Sequence, residues 1–103
     1  MSKENLAELR KAVIQIGKLV QRYGAKYYFL QLKLLSQMLD YIDSGNEDAD
    51  YLIYCYKMLF PSRGGLTEFY IHDDDYETRK KLNAPLDEAK DVMRKILLPY
   101  LED

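Results

Sequence analysis

The sequence predicts an all-α protein, a single-domain bundle of four or five helices with one long irregular loop at about residues 61–75. Apolar residues recur every three or four positions through most of the chain, which is the period of a helix that buries one face. Turn-forming residues separate these periodic segments. A length of 103 residues, with 48% hydrophobic and 31% charged side chains, is typical of one globular domain, here residues 1–103.

The first segment predicts an amphipathic helix that starts at Ser2. Gly24 predicts its end, because glycine readily takes the left-handed conformation found at helix ends. The apolar rhythm continues through Tyr27 and Leu30, so a single helix bent at Gly24 stays open. Its basic side is interpreted as a solvated face, since no DNA-reading motif accompanies it. The predicted apolar stripe consists of Leu6, Leu9, Val13, Ile16, Val20 and Tyr23.

The second segment, residues 26–43, predicts a helix that is apolar on two sides, and such a helix is usually central in its bundle. A turn at residues 43–46 separates it from a third helix, for which Asn46 is the candidate N-cap. Pro61 ends that third helix. Its two apolar faces indicate either deep burial or a second contact surface such as a homodimer interface. The residues predicted for that interface are Tyr51, Tyr54 and Met58.

The chain beyond the loop predicts a short helix at residues 75–82, followed by a new helix start. Asn83 is the expected cap of the new helix. Pro85 falls near its first position, where the missing N–H of proline costs little. The last helix then carries an apolar stripe toward the core: Leu86, Ala89, Val92, Met93, Ile96, Leu97 and Tyr100.

The charge of the chain is distributed unevenly. The net charge is −2, but residues 34–78 hold ten acidic and only two basic side chains. An acidic block argues against binding of nucleic acid phosphates and favours a cationic partner. No apolar run approaches the roughly 18 residues of a membrane helix, so no membrane partner is expected. The polar N-terminus and the single cysteine, Cys55, predict a cytoplasmic location.

The aperiodic stretch at residues 58–75 contains glycines, a histidine and aspartates, which occur in phosphate-binding and metal-binding sites. Their spacing does not match any of these sites. Gly64 and Gly65 lack the flanking residues of a phosphate-binding loop. His72 with Asp73, Asp74 and Asp75 fits neither a calcium loop nor a zinc site, and the aspartates are better explained as helix caps or a solvated loop. We therefore expect no catalytic residue, no metal and no cofactor in a protein that is not an enzyme; a small metal-dependent enzyme using His72 is an alternative.

The run FPSRGGLTEFYIHDDD, followed by LNAPLDEAKDVM, resembles a motif of small uncharacterised bacterial helical proteins. The matching positions are Gly64, Gly65, Glu68, Phe69, Tyr70, Asn83 and Leu86. Some of those proteins are similar to immunity proteins that neutralise toxins. The resemblance implies an inhibitor of a bacterial toxin. Together with the acidic block, which favours a basic toxin domain as the partner, it predicts a non-catalytic protein-binding module. We expect the contact surface to be formed by Glu68, Phe69, Tyr70, Asp73, Asp74 and Asp75, and a regulatory or structural homodimer remains the alternative.

Overall fold

A computed structural model describes residues 1–101; the last two residues of the predicted domain lie outside this part. The described residues contain four α-helices, one 3-10 turn at Gly65–Thr67 and no β-strand, so the all-α bundle is confirmed. None of these helices is long and apolar enough to cross a membrane. The helices are α1 (Lys3–Gly24), α2 (Phe29–Asp43), α3 (Ala49–Leu59) and α4 (Tyr76–Leu101).

The first helix ends at Gly24 as predicted, but the reason for a glycine at this position differs from the predicted left-handed conformation. Gly24 does not have a positive φ; the glycines that do are Gly45, Gly64 and Gly65. A Cβ at position 24 would stand 2.8 Å from ring atoms of both Phe69 and Tyr28. Position 24 therefore requires the smallest residue because two aromatic rings approach the backbone there, and the chain turns to start α2 only at Phe29.

The prediction that the second helix is central is wrong. Seven residues of α1 are buried, against only two of α2, Leu35 and Met38. The most extensive contact between helices joins α1 to α4. Since α2 packs on α1 with one side and on α3 with the other, its remaining surface faces solvent although it carries Phe29 and Leu30. The second apolar stripe of this helix is thus partly an exposed surface.

The third helix is capped by Asp48, which corrects the prediction for Asn46. The Asp48 carboxylate accepts a hydrogen bond from the Asp50 backbone N–H at 3.0 Å. The Asn46 amide instead donates to the Ser44 hydroxyl at 2.8 Å and so stabilises the preceding turn. Cys55 is completely buried, so the core side of α3 includes this residue as well as Leu52 and Leu59.

The predicted helix start at Asn83 is also wrong, because α4 continues unbroken through Asn83 and Pro85. Asn83 is buried and its side chain bonds to the loop rather than to the end of a helix. A proline inside a helix costs about 3 kcal/mol. The burial of Leu86 and Ala89 next to Pro85 offsets that cost by tertiary packing, which the local sequence does not display.

Candidate functional site

We call the segment Glu68–Asp75 the acidic strap. It lies against α4, and three side chains of α4 form hydrogen bonds with its backbone. The Asn83 amide accepts from the Ile71 N–H at 3.0 Å and donates to the Ile71 carbonyl at 2.8 Å. Arg79 donates to the Asp73 carbonyl at 3.0 Å, and Lys90 donates to the Phe69 carbonyl at 3.2 Å. The strap has no regular secondary structure, yet its backbone is held along its length.

The strap also inserts alternate side chains into the core. Phe69 is only 4% exposed, and Ile71 is buried as well. The Phe69 ring meets the Tyr28 ring edge to face, with centroids 5.2 Å apart. The expectation that Phe69 contacts a partner is therefore corrected: in this extended segment, successive side chains point to opposite sides, and Phe69 points inward.

The outward positions of the strap are Glu68, Tyr70, His72 and Asp74, all of which are exposed. The Tyr70 and His72 rings meet edge to face with centroids 5.1 Å apart. The Tyr70 and His72 rings are thus in contact, and the Glu68 and Asp74 side chains are exposed on either side of them in sequence. His72 is not among the residues that the sequence predicts for the contact surface.

Asp73 and Asp75 are committed to the start of α4. The Asp73 carboxylate accepts from the Asp75 N–H at 2.8 Å. The Asp75 carboxylate accepts from the Thr78 N–H at 2.9 Å and from the Thr78 hydroxyl at 2.8 Å. The Thr78 hydroxyl and N–H lower the pKa of Asp75 by stabilising its charged form. Both side chains thus fix the geometry of the turn that leads into α4.

The residues considered for catalysis or metal binding do not form a site within residues 1–101. No three His, Cys, Asp or Glu side chains of this part of the chain converge on a common point. Burial raises the pKa of the Cys55 thiol, with a hydrogen bond to Tyr51 acting in the opposite direction. A thiol that stays protonated at neutral pH is a weak nucleophile. The absence of a metal, a cofactor and catalysis remains a prediction.

The predicted interface on α3 is partly exposed. Tyr54 is 58% and Met58 is 51% exposed, one helical turn apart. Tyr51 is half-buried, because its ring packs on Tyr41 with centroids 4.8 Å apart. We call Tyr54 and Met58, with the exposed edge of Tyr51, the α3 patch.

The sequence reading missed the most exposed apolar side chains of the described residues. Tyr27, Leu30 and Phe29 lie at the turn from α1 to α2 and are 79%, 67% and 62% exposed. Their periodic spacing predicts a helix stripe but does not show whether that stripe is buried. A further signal in the sequence is charge, because no Asp or Glu occurs between Glu8 and Asp40.

Comparison of the chain with family models, with curated proteins and with solved structures finds no match.

Proposed function

We propose that this protein is a non-catalytic protein-binding module whose acidic strap contacts a basic surface of a partner protein. The observation that carries the proposal is the anchoring of the strap by Asn83, Arg79 and Lys90. An irregular segment that is already ordered loses little conformational entropy when it binds. An acidic loop that served solubility alone would not need three hydrogen-bonding side chains from α4 to hold its backbone.

The chemistry of the strap supports a cationic partner. Glu68 and Asp74 supply negative charge that accelerates encounter with a basic surface. Tyr70 lies between them in sequence, and an exposed tyrosine is a frequent energetic anchor of protein interfaces. The more specific role of an immunity-like inhibitor of a bacterial toxin rests on the sequence resemblance. An anionic surface of this kind suits an enzyme whose active-site cleft is basic.

A photo-crosslinking amino acid at position 70 tests the proposal in the native host. We expect one dominant crosslinked protein, identified by mass spectrometry, with a basic contact surface. The same amino acid at position 54 serves as the matched control, because Tyr54 is also exposed but belongs to α3.

Titration of the purified partner then measures the contribution of the strap. The double variant Glu68→Lys and Asp74→Lys should weaken binding at least tenfold at low salt, and added salt should weaken binding of the natural protein. Glu88→Lys, on an exposed part of α4, should have little effect. Equal losses in the strap variant and in the Glu88 control, or unchanged affinity in both, would contradict the proposal.

A second candidate function is a regulatory or structural homodimer formed through the α3 patch, favoured by the exposure of Tyr54 and Met58 on one side of α3. Sedimentation equilibrium should then show a dimer at micromolar concentration that Tyr54→Asp dissociates and Tyr27→Asp preserves. A monomer at these concentrations would exclude this candidate.

A further inference from the structure

The turn between α1 and α2 exposes an apolar surface for which the fold provides no cover. We call residues 22–33 the tip: the last turn of α1, the connection and the first turn of α2. Tyr27, Phe29 and Leu30 project from it. Contiguous exposed apolar surface of this kind marks a contact site.

The tip is also cationic. Arg22, Lys26 and Lys33 lie within it, and none of them forms an ion pair within residues 1–101. Farther down α1, by contrast, Arg10 is paired with Asp43 at 2.7 Å. The positive charge at the tip is therefore available to an anionic partner.

Cations and rings alternate closely at the tip. Arg22 lies 5.4 Å from the Tyr23 ring centroid. Lys26 lies 5.9 Å from the Tyr27 centroid, and Lys33 lies 5.6 Å from the Phe29 centroid. Single-stranded nucleic acid requires open aromatic faces for base stacking. Here each of these rings already has a cation over one face. This arrangement favours a partner that contacts the rings and the cations at the same time.

We infer that the tip binds an anionic lipid surface from one side, without crossing it. At a lipid interface, tyrosine, phenylalanine and leucine enter the boundary between headgroups and acyl chains, while lysine and arginine reach the phosphates. Tyr27 and Leu30 form the inserting part, and Arg22, Lys26 and Lys33 form the headgroup contacts. This inference departs from the expectation of no membrane partner, which rested only on the absence of a long apolar run.

The acidic strap lies next to the tip, because the Phe69 ring contacts the Tyr28 ring. An anionic lipid surface repels the carboxylates of the strap. Docking should therefore be restricted to orientations in which the strap faces away from the lipid. Asp74→Lys should consequently strengthen vesicle binding while it weakens binding of a basic protein partner. The two proposals can therefore fail independently.

Co-sedimentation of the full-length protein with vesicles tests the inference. We expect binding to vesicles of phosphatidylcholine with phosphatidylglycerol, and little binding to phosphatidylcholine alone. Lys26→Gln and Lys33→Gln should each lower the partition coefficient about fivefold, as one lost cation near a charged leaflet does. Leu30→Ser should lower it at unchanged charge. Lys57→Gln, an exposed cation on α3, is the matched control and should leave partitioning almost unchanged.

A fluorescence measurement tests the orientation independently of affinity. The chain contains no tryptophan, so Tyr27→Trp introduces a single tryptophan at the tip, and Tyr54→Trp introduces a single tryptophan on α3. Phosphatidylglycerol vesicles should shift the Tyr27→Trp emission to the blue and shield it from a soluble quencher. The Tyr54→Trp emission should stay unchanged.

Several results would overturn the inference. One is the absence of binding to phosphatidylglycerol vesicles at low salt. Another is vesicle binding that Lys26→Gln, Lys33→Gln and Leu30→Ser leave intact, or an equal blue shift at positions 27 and 54. Tight binding of a thymidine oligonucleotide without vesicle binding would assign the tip to nucleic acid instead. Circular dichroism of each variant confirms that the helices persist.

Discussion

The acidic strap and the tip lie side by side and contrast in structure and burial. The strap, residues 68–75, has no repeating backbone hydrogen bonds, yet it buries Phe69 and Ile71. The tip, residues 22–33, consists largely of helix ends, yet it exposes Tyr27, Phe29 and Leu30. In these two segments, regular secondary structure and burial therefore do not coincide.

The difference follows from what lies opposite each segment. The strap runs along α4, whose Asn83 supplies an acceptor and a donor to the Ile71 backbone, so its polar groups are satisfied without a strand partner. At the tip, the Tyr27 and Tyr28 N–H groups donate to the Gly24 carbonyl, so the turn satisfies these groups locally. The strap therefore contributes Phe69 and Ile71 to the core and keeps its other side exposed, whereas the tip leaves Tyr27, Phe29 and Leu30 exposed.

The largest expected effect compares one aromatic residue from each region. Phe69→Ala should lower the free energy of unfolding by about 3–5 kcal/mol, because it leaves a cavity in the core. Tyr27→Ala should change it by no more than about 0.5 kcal/mol, since that side chain is mostly in water. Urea denaturation of both variants measures the difference. Similar losses in the two variants would show that the contrast between the regions is wrong.

The next effect concerns the anchor of the strap. Asn83→Leu should destabilise the protein by about 2–4 kcal/mol, because it leaves the buried Ile71 N–H and C=O without partners. Hydrogen exchange at the Ile71 amide should accelerate more than exchange in the middle of α1. Asn46→Ala, in an exposed turn, is the control and should cost less than about 1 kcal/mol. A protected Ile71 amide in the Asn83 variant would refute the proposed anchoring.

Substitution of two glycines of α1 by alanine should change the free energy of unfolding in opposite directions. Gly24→Ala should destabilise by about 1–3 kcal/mol, because its Cβ would overlap the Phe69 and Tyr28 rings where strap and tip meet. Gly17→Ala places a Cβ in open space and should stabilise by about 1 kcal/mol through helix propensity. Thermal unfolding of both variants checks the prediction, and stabilisation by Gly24→Ala would exclude a close approach of the rings.

The smallest effect is the pH dependence of the α4 cap. The pKa of Asp75 is lower in the folded protein, so its charged form favours folding. This contribution is complete above the unfolded pKa of about 4 and is lost as the pH falls through the lower folded pKa. The difference in melting temperature between the natural protein and Asp75→Ala should therefore shrink on acidification.

Helix periodicity predicted much of the fold because it records which face of each helix is buried. Leu6, Leu9, Val13, Ile16 and Val20 are all in the core, as their spacing indicated. Periodicity failed where tertiary packing overrides the local pattern. Pro85 did not interrupt α4, and the apolar second stripe of α2 did not make that helix central.

The candidate site was predictable in location but not in detail. Composition identified residues 68–75 as acidic and aromatic, and Glu68, Tyr70 and Asp74 are exposed in the structure. The inward position of Phe69 depends on the registration of the strap against α4, which Asn83 sets. No local pattern shows that an asparagine in the middle of a helix bonds to a segment twelve residues earlier.

By itself the sequence determined the presence and approximate limits of α1, α2 and α3. It also determined the acidic centre of the chain and the absence of helical periodicity at residues 61–75. These properties follow from local spacing, turn residues and charge. Only the tertiary structure decided that α1 and α4 form the main contact, that Phe69 is buried and that Tyr27, Phe29 and Leu30 are not. Those outcomes depend on which surfaces meet, because an apolar side chain is buried only where another element covers it.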